Sequence, residues 1–234
     1  MSNKIDAFYL TNEEYFSVVA DYIVKEAKYS INNFGLFKLL LSGGNTPIGI
    51  FKELVNKQDK MNWGKVELYW VDERCVPISS VDSNYGNCKR SLIDNLKVKP
   101  VSYPMYLDGK IQSAVDQYQK LLSDKFDNNP VFDLALLGMG EDGHVASIFP
   151  DSNAINEEEL FVVSSYSPVP PGKRITLTLG VISSSKKCIF LSKGMKKKWV
   201  YESCIKDLNR KKNVPVFYAQ SELGENIWFL NHDN

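Results

Sequence analysis

Residues 37–54 read Phe-Lys-Leu-Leu-Leu-Ser-Gly-Gly-Asn-Thr-Pro-Ile-Gly-Ile-Phe-Lys-Glu-Leu. The first five residues make a short, buried strand. The next six, Ser42 to Pro47, are small or polar, and then Ile50, Phe51 and Leu54 recur at helical spacing. Pro47 suits the first helical position, where a missing N–H leaves no bond unmade. A strand that turns directly into a helix is one half of a βαβ unit, and such units build parallel sheets.

The same arrangement recurs along the chain. A strand at 66–71 ends in Asp72-Glu73-Arg74, and one at 131–137 ends in Gly-Met-Gly-Glu-Asp-Gly-His, residues 138–144. Upstream, residues 5–10 form a strand. Thr11 and Glu14 have capping-box spacing, and Phe16, Val19, Ile23 and Ala27 carry a helix that ends near residues 32–35. Further strands are expected at 161–164, 174–179, 188–191, 214–218 and 227–230. Between the first two of these, three prolines in residues 167–173 enforce a loop. No internal repeat or linker interrupts the pattern. The expectation is a single Rossmann-like α/β domain over residues 1–234, a mostly parallel sheet with helices on both faces. In such sheets ligands bind beyond the C-terminal ends of the strands, so the loops after residues 41, 71 and 137 should share one site.

Composition narrows the function. The 234 residues contain 28 basic and 28 acidic side chains, a balance that argues against nucleic acid as a partner. The N-terminal stretch has acidic residues where a signal peptide needs an apolar run, and no apolar run is long enough for a membrane span, so a cytoplasmic protein is expected. Cys75, Cys88, Cys188 and Cys204 are too few and too scattered for a disulfide framework or a structural metal site, and read as reduced thiols.

Three stretches carry chemistry. Ser42-Gly43-Gly44-Asn45-Thr46-Pro47 lies at a helix N-terminus, where unpaired N–H groups and the helix dipole favour a phosphate; it lacks the Walker A pattern. Residues 138–143 match G-x-G-x-x-G, but Glu141 and Asp142 would put two negative charges beside a pyrophosphate. Pro150 also cuts short any following helix, so a dinucleotide does not fit. His144 stands in this loop at a strand end. An ordinary imidazole, with a pKa near 6.5, can take a proton from water at neutral pH, and Asp142 could orient it. The second histidine, His232, is close to the C-terminus and is expected to be exposed. Taken alone, Arg74 reads equally as a surface ion-pair partner of Asp72 or Glu73, Arg174 as an exposed strand end, and the lysines of 193–198 as a solvated face.

In order along the chain, SGGNTP, VDERCVP with Asp82-Ser83-Asn84, FDLALLGMGEDGHVASIFP and SPVPPGKRITLTL resemble the signature segments of the 6-phosphogluconolactonase family, over residues 37–200. The resemblance implies hydrolysis of 6-phosphoglucono-δ-lactone to 6-phosphogluconate in the oxidative pentose phosphate pathway, without metal or organic cofactor, and functional coupling to glucose-6-phosphate dehydrogenase. It also implies that Ser42, Gly43, Gly44, Thr46, Arg74, Arg174 and Lys197 bind the sugar-phosphate lactone, and that Asp142 and His144 lie beside the lactone. Asn45 stands where serine is usual. Glucosamine-6-phosphate deaminases share the superfamily, but they carry a glutamate five positions after the histidine, where this chain has Phe149, and an aromatic residue where it has Arg74. The alternatives to a lactonase are such a deaminase or isomerase, or a non-catalytic sugar-phosphate-binding protein. In the lactonase reading His144 activates water and returns the proton to the ring oxygen. The oxyanion is met by Arg74 or by N–H groups of residues 138–143, and Ser42 or Ser147 would be the nucleophile of a covalent route.

Overall fold

The computed structural model of the chain describes residues 5–207 and 214–231. Seven of its strands form one parallel sheet: β1 (Ile5–Leu10), β2 (Phe37–Leu41), β3 (Val66–Trp70), β5 (Val101–Tyr103), β6 (Leu134–Gly138), β9 (Lys187–Ser192) and β10 (Glu225–Asn231). Their order across the sheet is β1-β10-β9-β6-β2-β3-β5. Three more, β4 (Asp72–Arg74), β7 (Val162–Tyr166) and β8 (Lys173–Leu177), make a small antiparallel sheet in the order β4-β8-β7. The expected α/β architecture is present; the second sheet is not legible in the sequence, because the three charged residues of β4 carry too short a pattern to read.

Among the described residues six α-helices connect the strands: α1 (Tyr15–Phe34), α2 (Asn45–Asn56), α3 (Asn84–Ser91), α4 (Ile111–Phe126), α5 (Leu179–Ser183) and α6 (Met195–Lys206). The capping box ahead of α1 is formed: the Thr11 N–H donates to Glu14 Oε1 at 2.9 Å and the Glu14 N–H to Thr11 Oγ1 at 3.4 Å. Pro47 is the third residue of α2, not the first, since the helix begins at Asn45. Residues 214–218 are not a strand. Pro215 opens a 3-10 turn, Pro215–Phe217, because it has no N–H to give to a ladder. The strand expected from residue 131 starts at Leu134, since the Lys38 N–H turns to the Asp133 carboxylate at 2.8 Å. His232 lies outside the described residues.

The strand order places the ligand site. From β1 through β2 and β3 to β5 the chain steps toward one edge of the sheet, and from β6 through β9 to β10 it steps back toward the other. Right-handed crossovers then put α1, α2 and α3 on one face and α4 and α6 on the opposite face, consistent with the packing of α1 on α2 and of α2 on α3. β2 and β6 are neighbours whose following loops diverge to opposite faces. That divergence opens a crevice above their C-terminal ends. The strands beneath it are rigid: Leu39, Leu40, Leu41, Leu134, Ala135, Leu136 and Leu137 are fully buried. No helix among the described residues is long and apolar enough to cross a membrane.

Candidate active site

A cavity of about 190 Å³ fills this crevice. Its walls come from Ser42 to Pro47 after β2, Asp72 and Arg74 of β4, Gly138 to Gly140, His144 and Ala146 after β6, and Leu191 and Lys197 from β9 and α6. Three loops that the sequence marked separately thus meet at one place. Ser42 joins two of them, its Oγ accepting the Gly138 N–H at 3.0 Å.

The loop after β6 is shaped around one pair of side chains. His144 Nδ1 lies 2.6 Å from Asp142 Oδ1, and the His144 N–H donates to the same oxygen at 3.1 Å. Burial alone would raise the Asp142 carboxyl, but its hydrogen bonds to His144 and the imidazole's charge outweigh burial and hold it below the usual range. An ionised carboxylate can only accept, so the shared proton belongs to Nδ1 and Nε2 keeps its lone pair. Gly140 makes room for this pair, because a Cβ there would stand 2.1 Å from His144 Nδ1 and 2.5 Å from Asp142 Oδ1. On its other side the imidazole meets the Phe149 ring at 4.7 Å between centroids.

The opposite wall is built for an anion. Gly44 leads into α2 with no side chain capping the first turn, and residues 43–46 line the cavity, so the unpaired N–H groups of a helix start are at its wall. Lys197 is the lysine of its cluster that lines the cavity; Lys196 pairs with Glu141 at 2.9 Å and Lys198 lies over the Tyr9 ring. The cluster is therefore not a uniformly solvated face. Burial pulls the Lys197 ammonium below its ordinary range, against the charge of Glu141.

Asp72, Arg74, Arg174 and Thr176 share one face of the small sheet, since Asp72 pairs with Thr176 and Arg74 with Arg174 across β4 and β8. Arg74 forms no ion pair with Asp72 or Glu73; its Nη1 donates to the Asp82 carbonyl at 2.9 Å and its Nε is buried without a partner. Arg174 is not an exposed strand end. It is 5% exposed, its Nε and Nη1 lack partners, and it lines a neighbouring cavity of about 630 Å³ with Lys173, Tyr166 and Asn153 rather than the cavity that holds His144. Burial, then the charge of Arg74, hold its pKa below the ordinary value. Ser147 is buried and donates to Asp72 Oδ2 at 2.7 Å, which removes it as a nucleophile activated by His144.

Glu73, which the sequence offered only as a neighbour of Arg74, is a buried cap. Its carboxyl accepts from the N–H groups of Arg74, Asn84 and Tyr85, each at 2.7 Å, and from Ser83 Oγ at 3.2 Å, fastening β4 to the start of α3. Burial pushes it up to about 7 despite those donors. A folded-state pKa above the ordinary 4.5 favours the protonated form in the folded protein. The resulting stabilisation is complete below about 4.5 and is lost as pH rises through about 7, a loss of up to about 3 kcal/mol. Urea unfolding across that window should show this decline, and Glu73→Gln should flatten it. An unchanged slope in the variant would assign the pH dependence to other groups.

A family described as glucosamine-6-phosphate isomerases/6-phosphogluconolactonase matches residues 10–228. The chain belongs to this family. The 6-phosphogluconolactonase of Chlamydia pneumoniae is 30% identical over 213 residues, which cover 90% of this chain and 81% of that protein. The human GDH/6PGL endoplasmic bifunctional protein is 31% identical over 228 residues, 95% of this chain but 29% of that longer protein. Among solved structures, the 6-phosphogluconolactonase of Thermotoga maritima superimposes with a TM-score of 0.84 at 27% identity, covering 97% of this chain and all of that one. That of Trypanosoma brucei gives 0.82 at 26% identity, covering 98% and 97%.

Proposed function

We propose that the chain hydrolyses 6-phosphoglucono-δ-lactone to 6-phosphogluconate in the pentose phosphate pathway, with His144 as general base. The observation that carries this reading is the Asp142–His144 pair at the sheet's switch point, facing the uncapped start of α2 across a cavity sized for one sugar phosphate. The Chlamydia pneumoniae relative and the Thermotoga maritima and Trypanosoma brucei structures are 6-phosphogluconolactonases, which supports the reading. The bifunctional human relative supports functional coupling to the dehydrogenase that supplies the lactone.

In the reaction, His144 Nε2 takes a proton from water as the hydroxide attacks the lactone carbonyl. The tetrahedral intermediate then collapses, the ring C–O bond breaks, and the imidazolium gives its proton to the departing oxygen. Asp142 stays ionised throughout and stabilises the imidazolium. For the oxyanion the sequence left two sources of donors open, and hydrogen bonding favours Arg74. Of the loop's glycines, Gly138, Gly140 and Gly143 already give their N–H groups to Ser42 Oγ, the His144 carbonyl and the Gly140 carbonyl, whereas the Arg74 guanidinium gives only Nη1, to the Asp82 carbonyl. Phosphate is assigned to Gly43, Gly44 and Thr46 with Lys197, and to Arg174, which stands beside Arg74 on the same face of the small sheet.

Purified protein assayed on the lactone at slightly acidic pH, where the unaided reaction is slow, tests the reading; no rate above background would remove it. Deamination is the specific rival. Phe149 places an apolar ring against His144 and supplies no second carboxylate, so incubation with glucosamine 6-phosphate should release no ammonia above a control without enzyme. Measurable ammonia would move the chain to the isomerase branch of its family.

A further inference from the structure

The two glycines of the phosphate loop are glycine for different reasons. Gly44 has φ +93°, a left-handed conformation, with open space where a Cβ would stand. Gly43 lies outside the left-handed region, so its backbone would accept any residue. Space forbids it: a Cβ at Gly43 would stand 1.8 Å from Oδ1 and 2.0 Å from Cγ of Asn84. The carboxamide of Asn84 occupies the volume that a side chain at position 43 would need.

Asn84 is the first residue of α3 and is 1% exposed. Its Nδ2 donates to the Asp72 carbonyl at 2.9 Å and to Asp72 Oδ1 at 3.0 Å. Both partners are acceptors, which fixes the orientation of the amide and turns Oδ1 toward Gly43. That oxygen is buried and has no hydrogen-bond partner. Leaving an acceptor unpaired in the interior is costly. An apolar side chain would fill the same space without that cost. What it could not do is hold β4 by two hydrogen bonds while setting the closest approach of the loop.

We propose that Asn84 is a positioning residue for substrate phosphate. Wedged between Asp72 and Gly43, it fixes the distance between the small sheet that carries Arg74 and the free N–H groups at the start of α2. This rests on the reading that residues 42–46 take phosphate. Loss of the wedge lets the loop shift, which weakens the hold on a phosphorylated ligand and leaves the His144–Asp142 pair, on a different loop, in place.

The test compares inhibition of lactone hydrolysis by 6-phosphogluconate and by gluconate. Asn84→Ala should raise KM and the inhibition constant of 6-phosphogluconate about tenfold, while the inhibition constant of gluconate changes by less than about threefold. Gly43→Ala alone should also weaken 6-phosphogluconate at least about tenfold. Added to Asn84→Ala, it should cost no more than about threefold, because the obstructing carboxamide is gone. Additive losses, or equal losses for both inhibitors, overturn the proposal. If Asn84→Ala does not fold, Asn84→Ser, which vacates the space beside Gly43 and keeps a hydroxyl that can donate toward Asp72, replaces it: 6-phosphogluconate should bind about tenfold more weakly with gluconate unaffected, and a parallel response of the two ligands counts against the role. Wild-type protein that binds 6-phosphogluconate no better than gluconate would overturn the phosphate reading itself, and this inference with it.

Discussion

Replacing His144 by alanine is expected to lower kcat for lactone hydrolysis by about 10²–10⁴-fold and to leave the affinity for 6-phosphogluconate within about threefold. The two halves of that expectation have separate physical sources. General base catalysis of water attack is lost outright, because the side chains that remain around the cavity are poorly suited to replace it. Asp142 loses the imidazole that lowers it, but a carboxylate remains a weaker base than an imidazole, and Asp72 has one oxygen engaged by Asn84 and the other by Ser147. Affinity persists because the phosphate is assigned to the far wall, on the loop after β2 and on α6. Since the lactone also opens unaided, the comparison needs rates corrected for that background. A corrected kcat within a few-fold of wild type would mean that another group activates the water. A fall in kcat accompanied by an equal fall in product affinity would make His144 a binding or structural residue.

The residues that carry this chemistry were legible in the sequence to different degrees, for physical reasons. The loops after β2 and β6 announced themselves because glycines and polar residues interrupt fully apolar strands, and a sheet of parallel strands gives such interruptions one place to meet. His144 and Asp142 are two residues apart, so their contact needs no long-range information. Asn84 is the opposite case. Its partners Asp72 and Gly43 lie 12 and 41 positions away, and its importance depends on a register between β4 and α3 that no local pattern encodes. The small antiparallel sheet was hidden for the same reason. Asp72-Glu73-Arg74 reads as a charged loop, yet the burial of Asp72 and Glu73 is achieved by donors from residues 83–85 and 147. The stretch at 214–218 was misread because Val, Phe and Tyr signal a strand, while a single Pro215 overrides them.

Arg174 separates binding from stability, and Arg174→Met should move the two in opposite directions. In the unliganded protein its guanidinium is nearly sealed from water, with Nε and Nη1 unpaired and Arg74 directly opposite in the ladder. Burying a charge without partners, next to a like charge, is unfavourable. The nearby carboxylates do not depend on Arg174 for hydrogen bonds: Asp72 has Asn84 and Ser147, and Glu73 has three backbone N–H groups and Ser83. A methionine keeps most of the apolar stem and removes the charge, so the free protein should gain about 1–2 kcal/mol, or roughly 3–6 °C in Tm. Affinity for 6-phosphogluconate should fall about ten- to hundredfold, the worth of one charge-assisted contact, and affinity for gluconate should hardly change. Thermal unfolding with and without ligand reads both effects at once. At a concentration near 100 times the wild-type Kd, 6-phosphogluconate should stabilise wild type by about 2.7 kcal/mol and the variant by only about 0.4–1.4 kcal/mol. A free protein that melts lower after the substitution would show that Arg174 has a structural partner in the resting state. Equal losses for the phosphorylated and unphosphorylated ligands would take Arg174 out of the phosphate site and assign it to the neighbouring cavity it lines with Lys173 and Tyr166.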